Sequence, residues 1–142
     1  SKSMALVLLC ILLALPAPAL ATPPEPLTID VDMWMTGENS AAGTFSMTGL
    51  ISDTGTCSEV FFMADDTTHG VKTLVGSAGT IIIGYQALLT WTPTTGTAAG
   101  KWVIVSGTGA YEKLHGVGDA YAELDLGDFT LWATYTGKAH FD

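Results

Sequence analysis

The chain has 142 residues, which suits one domain with a sizeable apolar core. Fourteen acidic residues against five lysines and no arginine give a formal charge of −9 at pH 7. Such a surface repels nucleic-acid phosphates and anionic lipid, so we expect no nucleic-acid partner. The acidity is typical of a protein kept soluble outside the cell, although it also leaves open a cationic partner.

Residues 1–21 have the three parts of a secretory signal peptide. Lys2 precedes an apolar run that begins at Met4 and is too short to span a bilayer, and Ala19-Leu20-Ala21 is a small-residue cleavage site. We therefore expect a secreted protein, extracellular or periplasmic, that keeps no stable membrane anchor after cleavage.

The cysteine content indicates that packing, not disulfide bonds, stabilises the domain. Cys10 lies within the predicted signal peptide, and Leu9 before it is too large for a typical lipid-attachment site. Cys57 is then the one cysteine of the exported chain, so it has no intramolecular partner. A lone thiol is a possible nucleophile, but a small buried hydrophobe is the commoner state.

The domain organisation follows from proline content and from alternation of apolar and polar residues. Residues 22–26 contain three prolines and are interpreted as an extended leader before a domain at 27–142. Period-two alternation begins at Thr28, and no segment shows helical periodicity. The pattern predicts strands at Thr28–Thr36, Thr44–Ile51, Cys57–Met63, Val71–Val75 and Thr80–Trp91, two more within Gly100–Leu126, and a last one at Phe129–Phe141, with Pro93–Gly100 as a loop.

About eight strands joined by short, turn-rich connections predict an all-β domain, a single antiparallel β-barrel in preference to an open sandwich. Closure removes the exposed edges that a threonine-rich secreted sheet would otherwise present. The interior of an eight-stranded barrel is wide enough to be filled by side chains or to hold one small ligand.

The third strand carries a carboxyl group whose direction the sequence leaves open. Cys57, Glu59 and Phe61 share one face, and Val60 and Phe62 share the other. If Glu59 points inward, desolvation favours its protonated form and it is a candidate general acid or base. We favour the other orientation, with Val60 and Phe62 inward, because an unpaired buried carboxylate is costly.

Two tyrosines lie on the more apolar faces of long strands. Tyr85 and Tyr135 are therefore expected inside the barrel, either as core residues with satisfied hydroxyls, which we favour, or as polar anchors of a ligand pocket. Together with Cys57 and Glu59 they form the candidate ligand-binding set.

Motifs for cofactors and for nucleophilic catalysis fail on spacing. Gly107-Thr108-Gly109 follows a strand, but Glu112 occupies the third glycine position of a dinucleotide fingerprint and no helix follows. Ser106 lacks the flanking glycines of a nucleophile elbow. We predict no cofactor and no hydrolase triad.

No metal site is expected. The three histidines, His69, His115 and His140, are far apart in the sequence and show no ligand spacing. The paired acidic residues lie outside any ligand-dense calcium loop.

The stretch Gly100-Lys101-Trp102, the corner from Ser106 to Tyr111 and the following Leu114-His115-Gly116 resemble the allene oxide cyclase-like and dirigent-like β-barrels. The similarity is closest to uncharacterised secreted bacterial members, which share a strand, a Gly-Thr-Gly-small-aromatic corner and a following glycine. Gly107, Gly109 and Gly116 are then the structural corner between two strands.

The resemblance implies an eight-stranded barrel, often oligomeric, whose interior in some relatives binds a hydrophobic molecule and guides its cyclisation or coupling. It assigns no catalytic residue, and the absence of arginine argues against the radical coupling of dirigent relatives. Two hypotheses follow: a non-enzymatic binder of a small apolar ligand or extracellular interaction module, and a cyclase- or isomerase-like enzyme in which Glu59 or a tyrosine transfers a proton. Leu88 and Trp132, apolar on polar faces, mark a candidate homo-oligomer contact.

Overall fold

A computed structural model describes residues 22–142, which form eight antiparallel strands closed into a barrel. Each strand pairs with the next along the chain, and β1 also pairs with β8, with Val31 opposite Ala133. The predicted fold class is therefore confirmed, while the predicted signal peptide at residues 1–21 lies outside the described residues. The strands are β1 Glu25–Gly37, β2 Ser40–Gly49, β3 Asp53–Ala64, β4 Thr67–Gly76, β5 Thr80–Trp91, β6 Thr95–Gly107, β7 Leu114–Asp125 and β8 Thr130–Phe141.

Several boundaries differ from the sequence-based expectation, and β2, β3 and β4 begin at Ser40, Asp53 and Thr67, before their predicted starts. β1 begins at Glu25, inside the segment interpreted as a leader. The predicted loop Pro93–Gly100 is mostly strand, because β6 begins at Thr95 and pairs with both β5 and β7. Gly96 in this strand lies against Trp91, since a Cβ at Gly96 would stand 2.6 Å from the Trp91 ring. No helix of residues 22–142 is long and apolar enough to cross a membrane.

One end of the barrel is closed by the connection between β6 and β7. It contains a 3₁₀ turn, Gly109–Tyr111, whose tyrosine side chain is buried in the core. The Tyr111 hydroxyl donates a hydrogen bond to the Asp53 carboxylate, and the Ser77 hydroxyl donates a second at 2.7 Å. These bonds, that of Tyr111 first, hold the pKa of Asp53 well below its usual range. The polar cluster thus fixes the closed end.

The three glycines predicted for the corner have different positions. Gly109 has φ +61°, in the left-handed region that favours glycine. Gly107 ends β6, where a Cβ would collide with the Tyr111 backbone. Gly116 is not in the corner: it lies inside β7 and faces the core, 3.0 Å from Ile104 when a Cβ is placed on it.

Candidate functional site: the barrel cavity

An interior cavity of about 80 Å³ lies towards the end of the barrel opposite Tyr111. A cavity needs roughly 10–15 Å³ to hold one water molecule, so this space exceeds what a single water needs. Its walls come from strand ends near the β3–β4, β5–β6 and β7–β8 turns and are mainly apolar. They include Met35, Phe61, Leu89, Trp91, Ala122 and Leu131.

The third strand points its acidic face inward, so the favoured orientation from the sequence was wrong. Glu59 is 5% exposed, whereas Val60 and Phe62 are 54% and 65% exposed on the outside. The physical reason is a partner that the sequence analysis did not assign. Lys72 lies directly opposite Glu59 in the β3–β4 register, so the carboxylate is paired.

Glu59 and Lys72 form a buried ion pair at the cavity. Lys72 Nζ is 2.8 Å from Glu59 Oε1, and the two side chains are 2% and 3% exposed. The Tyr85 hydroxyl donates to the same oxygen. Lys72 Nζ also lies 4.5 Å from the centre of the Tyr85 ring and 5.1 Å from that of Tyr135, within cation–π range. Charge, hydrogen bond and ring faces together offset the desolvation of both ions.

The two predicted tyrosines do meet inside the barrel, with ring centres 6.4 Å apart. Burial, as the first cause, raises the pKa of both hydroxyls above the ordinary value, so both are protonated at neutral pH. Tyr135 packs edge-to-face on Trp102 at 6.1 Å. Gly70, opposite Tyr85 in the register, leaves room for that ring, since a Cβ would collide with it.

Cys57, the fourth member of the candidate set, is inward but is not among the residues that line the cavity. Its sulfur is 3.9 Å from that of Met33 in the apolar core. Burial raises the pKa of the thiol to about 12. Cys57 is therefore a packing residue and not a nucleophile at neutral pH.

Lys72 is the candidate-site residue that the sequence analysis missed. A signal was present, because period-two alternation in β4 places Lys72 on the same face as Gly70 and the apolar Leu74. Thr68, on that face as well, is 4% exposed and lines the cavity. A lysine on an apolar face next to a strand with an unassigned carboxylate predicts a cross-strand pair.

The structure brings together two of the histidines that the sequence separates. His115 and His140 are cross-strand neighbours with rings stacked at 5.4 Å, and His115 Nε2 is 2.6 Å from Asp142. Both lie on the outside, away from the cavity, and His69 is exposed on β4. Within residues 22–142, no group of three or more His, Cys, Asp or Glu side chains has a metal-binding arrangement.

An apolar row crosses the outside of five neighbouring strands. The register aligns Val60, Val71, Gly84, Val103 and Val117, one residue from each of β3 to β7. The four valines are 45–60% exposed, and none of the five positions carries a charge. This valine row is therefore an exposed, uncharged apolar strip of the outer surface.

The residues first expected at a subunit contact also point outward. Leu88 is 62% exposed and Trp132 is 42% exposed, with Trp132 packed on Tyr121. They lie on strands β5 and β8, separate from the valine row. A wide crevice beside Trp132, between the 93–95 and 125–130 segments, has walls that are about equally polar and apolar. The barrel cavity has mainly apolar walls, so it is the better small-molecule site.

No protein-family model, curated protein or solved structure matches this chain. A barrel architecture by itself supports many unrelated functions. The function must therefore be argued from the geometry of the cavity. That geometry combines apolar walls, one paired carboxylate, one ammonium group and two protonated phenols.

Proposed function

We propose that the protein is exported and binds a small apolar ligand in its barrel without transforming it. The observation that carries this proposal is a mainly apolar cavity at one end of the barrel with a few convergent polar groups, Glu59, Lys72, Tyr85 and Tyr135. Export is supported by the signal-peptide pattern of residues 1–21.

The polar groups favour binding because they are already held in place. Glu59 and Lys72 form an ion pair with each other, and Tyr85 is oriented by its bond to Glu59. A ligand therefore meets a pre-organised site and orders few side chains on entering. Apolar walls supply the affinity, and the polar groups at the inner end orient the ligand.

A neutral fluorescent probe tests the proposal. N-phenyl-1-naphthylamine should gain fluorescence on entering the apolar cavity of the purified protein. Ala98→Trp fills the cavity and should abolish the gain, whereas Ala99→Trp, one residue along β6 on the exposed outer face, should leave it unchanged. Equal binding by both variants would place the probe outside the cavity and refute the proposal.

A cyclase- or isomerase-like activity is the second candidate, and one contact favours it. Tyr85, protonated at neutral pH, donates to Glu59 at the cavity wall, which pairs a proton donor with a proton acceptor. Kinship with allene oxide cyclase-like and dirigent-like barrels, which we also propose, is supported by the closed eight-stranded antiparallel barrel.

The two candidates differ in the fate of the ligand. Molecules extracted from the natively secreted protein should be identified by mass spectrometry and then returned to the wild type and to Tyr85→Phe. Unchanged molecules support a binder. Conversion by the wild type, lost in Tyr85→Phe although the molecule still binds, would establish an enzyme instead.

We further propose that the valine row contacts a second copy of the chain. At roughly 4.8 Å between strands, five strands make the row about 20 Å long. This length suits the apolar centre of a standard-sized interface. Two copies of an acidic protein meet with least repulsion at an uncharged surface, and the row is uncharged.

A further inference from the structure

We infer that the cavity selects an uncharged ligand that ends in a hydroxyl group, and that it rejects carboxylates such as fatty acids. This inference rests on the proposed binding function and names its ligand class. It follows from the charge balance of the site and from the hydrogen bonds that the site leaves unused.

The charges at the inner end of the cavity cancel. Glu59 and Lys72 form a one-to-one pair, and the titratable groups beside them, Tyr85 and Tyr135, are neutral at physiological pH. A ligand carboxylate would be desolvated in an apolar space without a cation of its own, which is strongly unfavourable. A ligand ammonium would also lack a counter-ion of its own, because Lys72 already neutralises Glu59, and its burial is unfavourable for the same reason. The charge balance therefore favours an uncharged ligand.

The unused hydrogen-bonding capacity specifies a hydroxyl. Lys72 and Tyr85 both donate to Oε1 of Glu59, so Oε2 receives neither bond. Within residues 22–142, every fully buried side-chain N or O atom has a hydrogen-bond partner. Oε2 has none, so it is not fully buried, and because Glu59 lines the cavity we infer that Oε2 borders it. Oε2 is a pure acceptor, and a ligand that reaches it must donate.

The Tyr135 hydroxyl completes the match. Within residues 22–142 this hydroxyl forms no hydrogen bond, and Tyr135 lines the cavity beside Lys72. A phenol both donates and accepts, as an alcohol does. A ligand hydroxyl can therefore donate to Glu59 and accept from Tyr135, whereas a ketone offers no donor and leaves Oε2 unpaired.

Displacement of N-phenyl-1-naphthylamine by three compounds of equal chain length tests the inference. Binding of 1-octanol to the wild type should be at least about tenfold tighter than binding of octanoate or of 2-octanone, which is the effect of one hydrogen bond to a charged group. Octanoate binds weakly to any apolar cavity because its carboxylate must give up its hydration shell. The variants therefore decide whether Glu59 causes the discrimination against octanoate.

Glu59→Gln removes the negative charge and leaves Lys72 as an unpaired cation. Octanoate binding relative to octanol should then rise at least about tenfold over the wild type. The matched control is the double variant Glu59→Gln/Lys72→Met, which has no buried ion and should lose that gain. Circular dichroism confirms folding of each variant, and if Glu59→Gln does not fold, the octanol-to-octanone ratio of the wild type decides.

The outcomes separate the two proposals. If the probe binds but octanoate or 2-octanone competes as well as octanol, the ligand class is wrong and the binding function stands. An unchanged octanoate-to-octanol ratio in folded Glu59→Gln also overturns the inference. If the probe does not bind the wild type at all, the binding function fails, and this inference with it.

Discussion

Replacing Lys72 with Met removes the cation of the buried ion pair while keeping most of the volume of the side chain. Glu59 then keeps the Tyr85 hydrogen bond but has no counter-ion in a site where its side chain is 3% exposed. Breaking a buried pair by removal of one partner costs about 3–5 kcal/mol, a large fraction of the about 5–15 kcal/mol by which a domain is stable. We expect the melting temperature to fall by roughly 10–20 °C.

Urea unfolding followed by tryptophan fluorescence measures the loss of stability at pH 7. The matched control is Lys101→Met, which breaks the ion pair between Lys101 and Asp119, whose side chains are 80% and 71% exposed. Such surface pairs contribute about 0–1 kcal/mol. If Lys72→Met costs no more than Lys101→Met, the buried pair does not have the role argued for it.

Three further predictions concern other parts of the barrel. Cys57 should resist Ellman's reagent at pH 8 until urea unfolds the protein, and rapid labelling of the folded protein would contradict its burial. Because burial raises the pKa of the thiol from 9.0 to about 12, the folded state keeps a proton that the unfolded state releases, and the urea midpoint should fall as pH rises above 9. Tyr111→Phe should cost about 1–3 kcal/mol of stability at pH 7, because it removes a hydrogen-bond donor to Asp53. Since the pKa of Asp53 is lowered in the folded state, the stability that its carboxylate contributes is lost as pH falls below 3.8. A fall in melting temperature of the same size at pH 7 and pH 3 would refute that account. Val103→Lys should shift the mass measured by light scattering to that of a monomer, whereas Thr44→Lys, exposed on β2, should not; a wild-type monomer removes the proposal of self-association.

The sequence determined the fold class because each strand carries its own period-two pattern. Ile29, Val31 and Met33 alternate with polar residues, and the structure buries these three. Turn residues such as Asp65, which has φ +57°, mark where strands end, since Asp tolerates the left-handed region. These signals are local, and local signals are readable without knowing which strands become neighbours. The Thr95–Gly100 part of β6 was missed because its glycine, threonine and alanine residues give no alternation of polar and large apolar side chains.

The direction of the third strand was decided only by the tertiary structure. Both of its faces are partly apolar, and the cost of burying Glu59 argued for the wrong one. The cost of burying Glu59 is offset because Lys72 lies opposite it in the register and the two side chains form an ion pair. Strand register is a non-local property, fixed by turn lengths and by closure of the whole sheet. The pattern of the sequence therefore predicts the barrel, whereas the polar site inside it forms only when β3, β4, β5 and β8 close around one cavity.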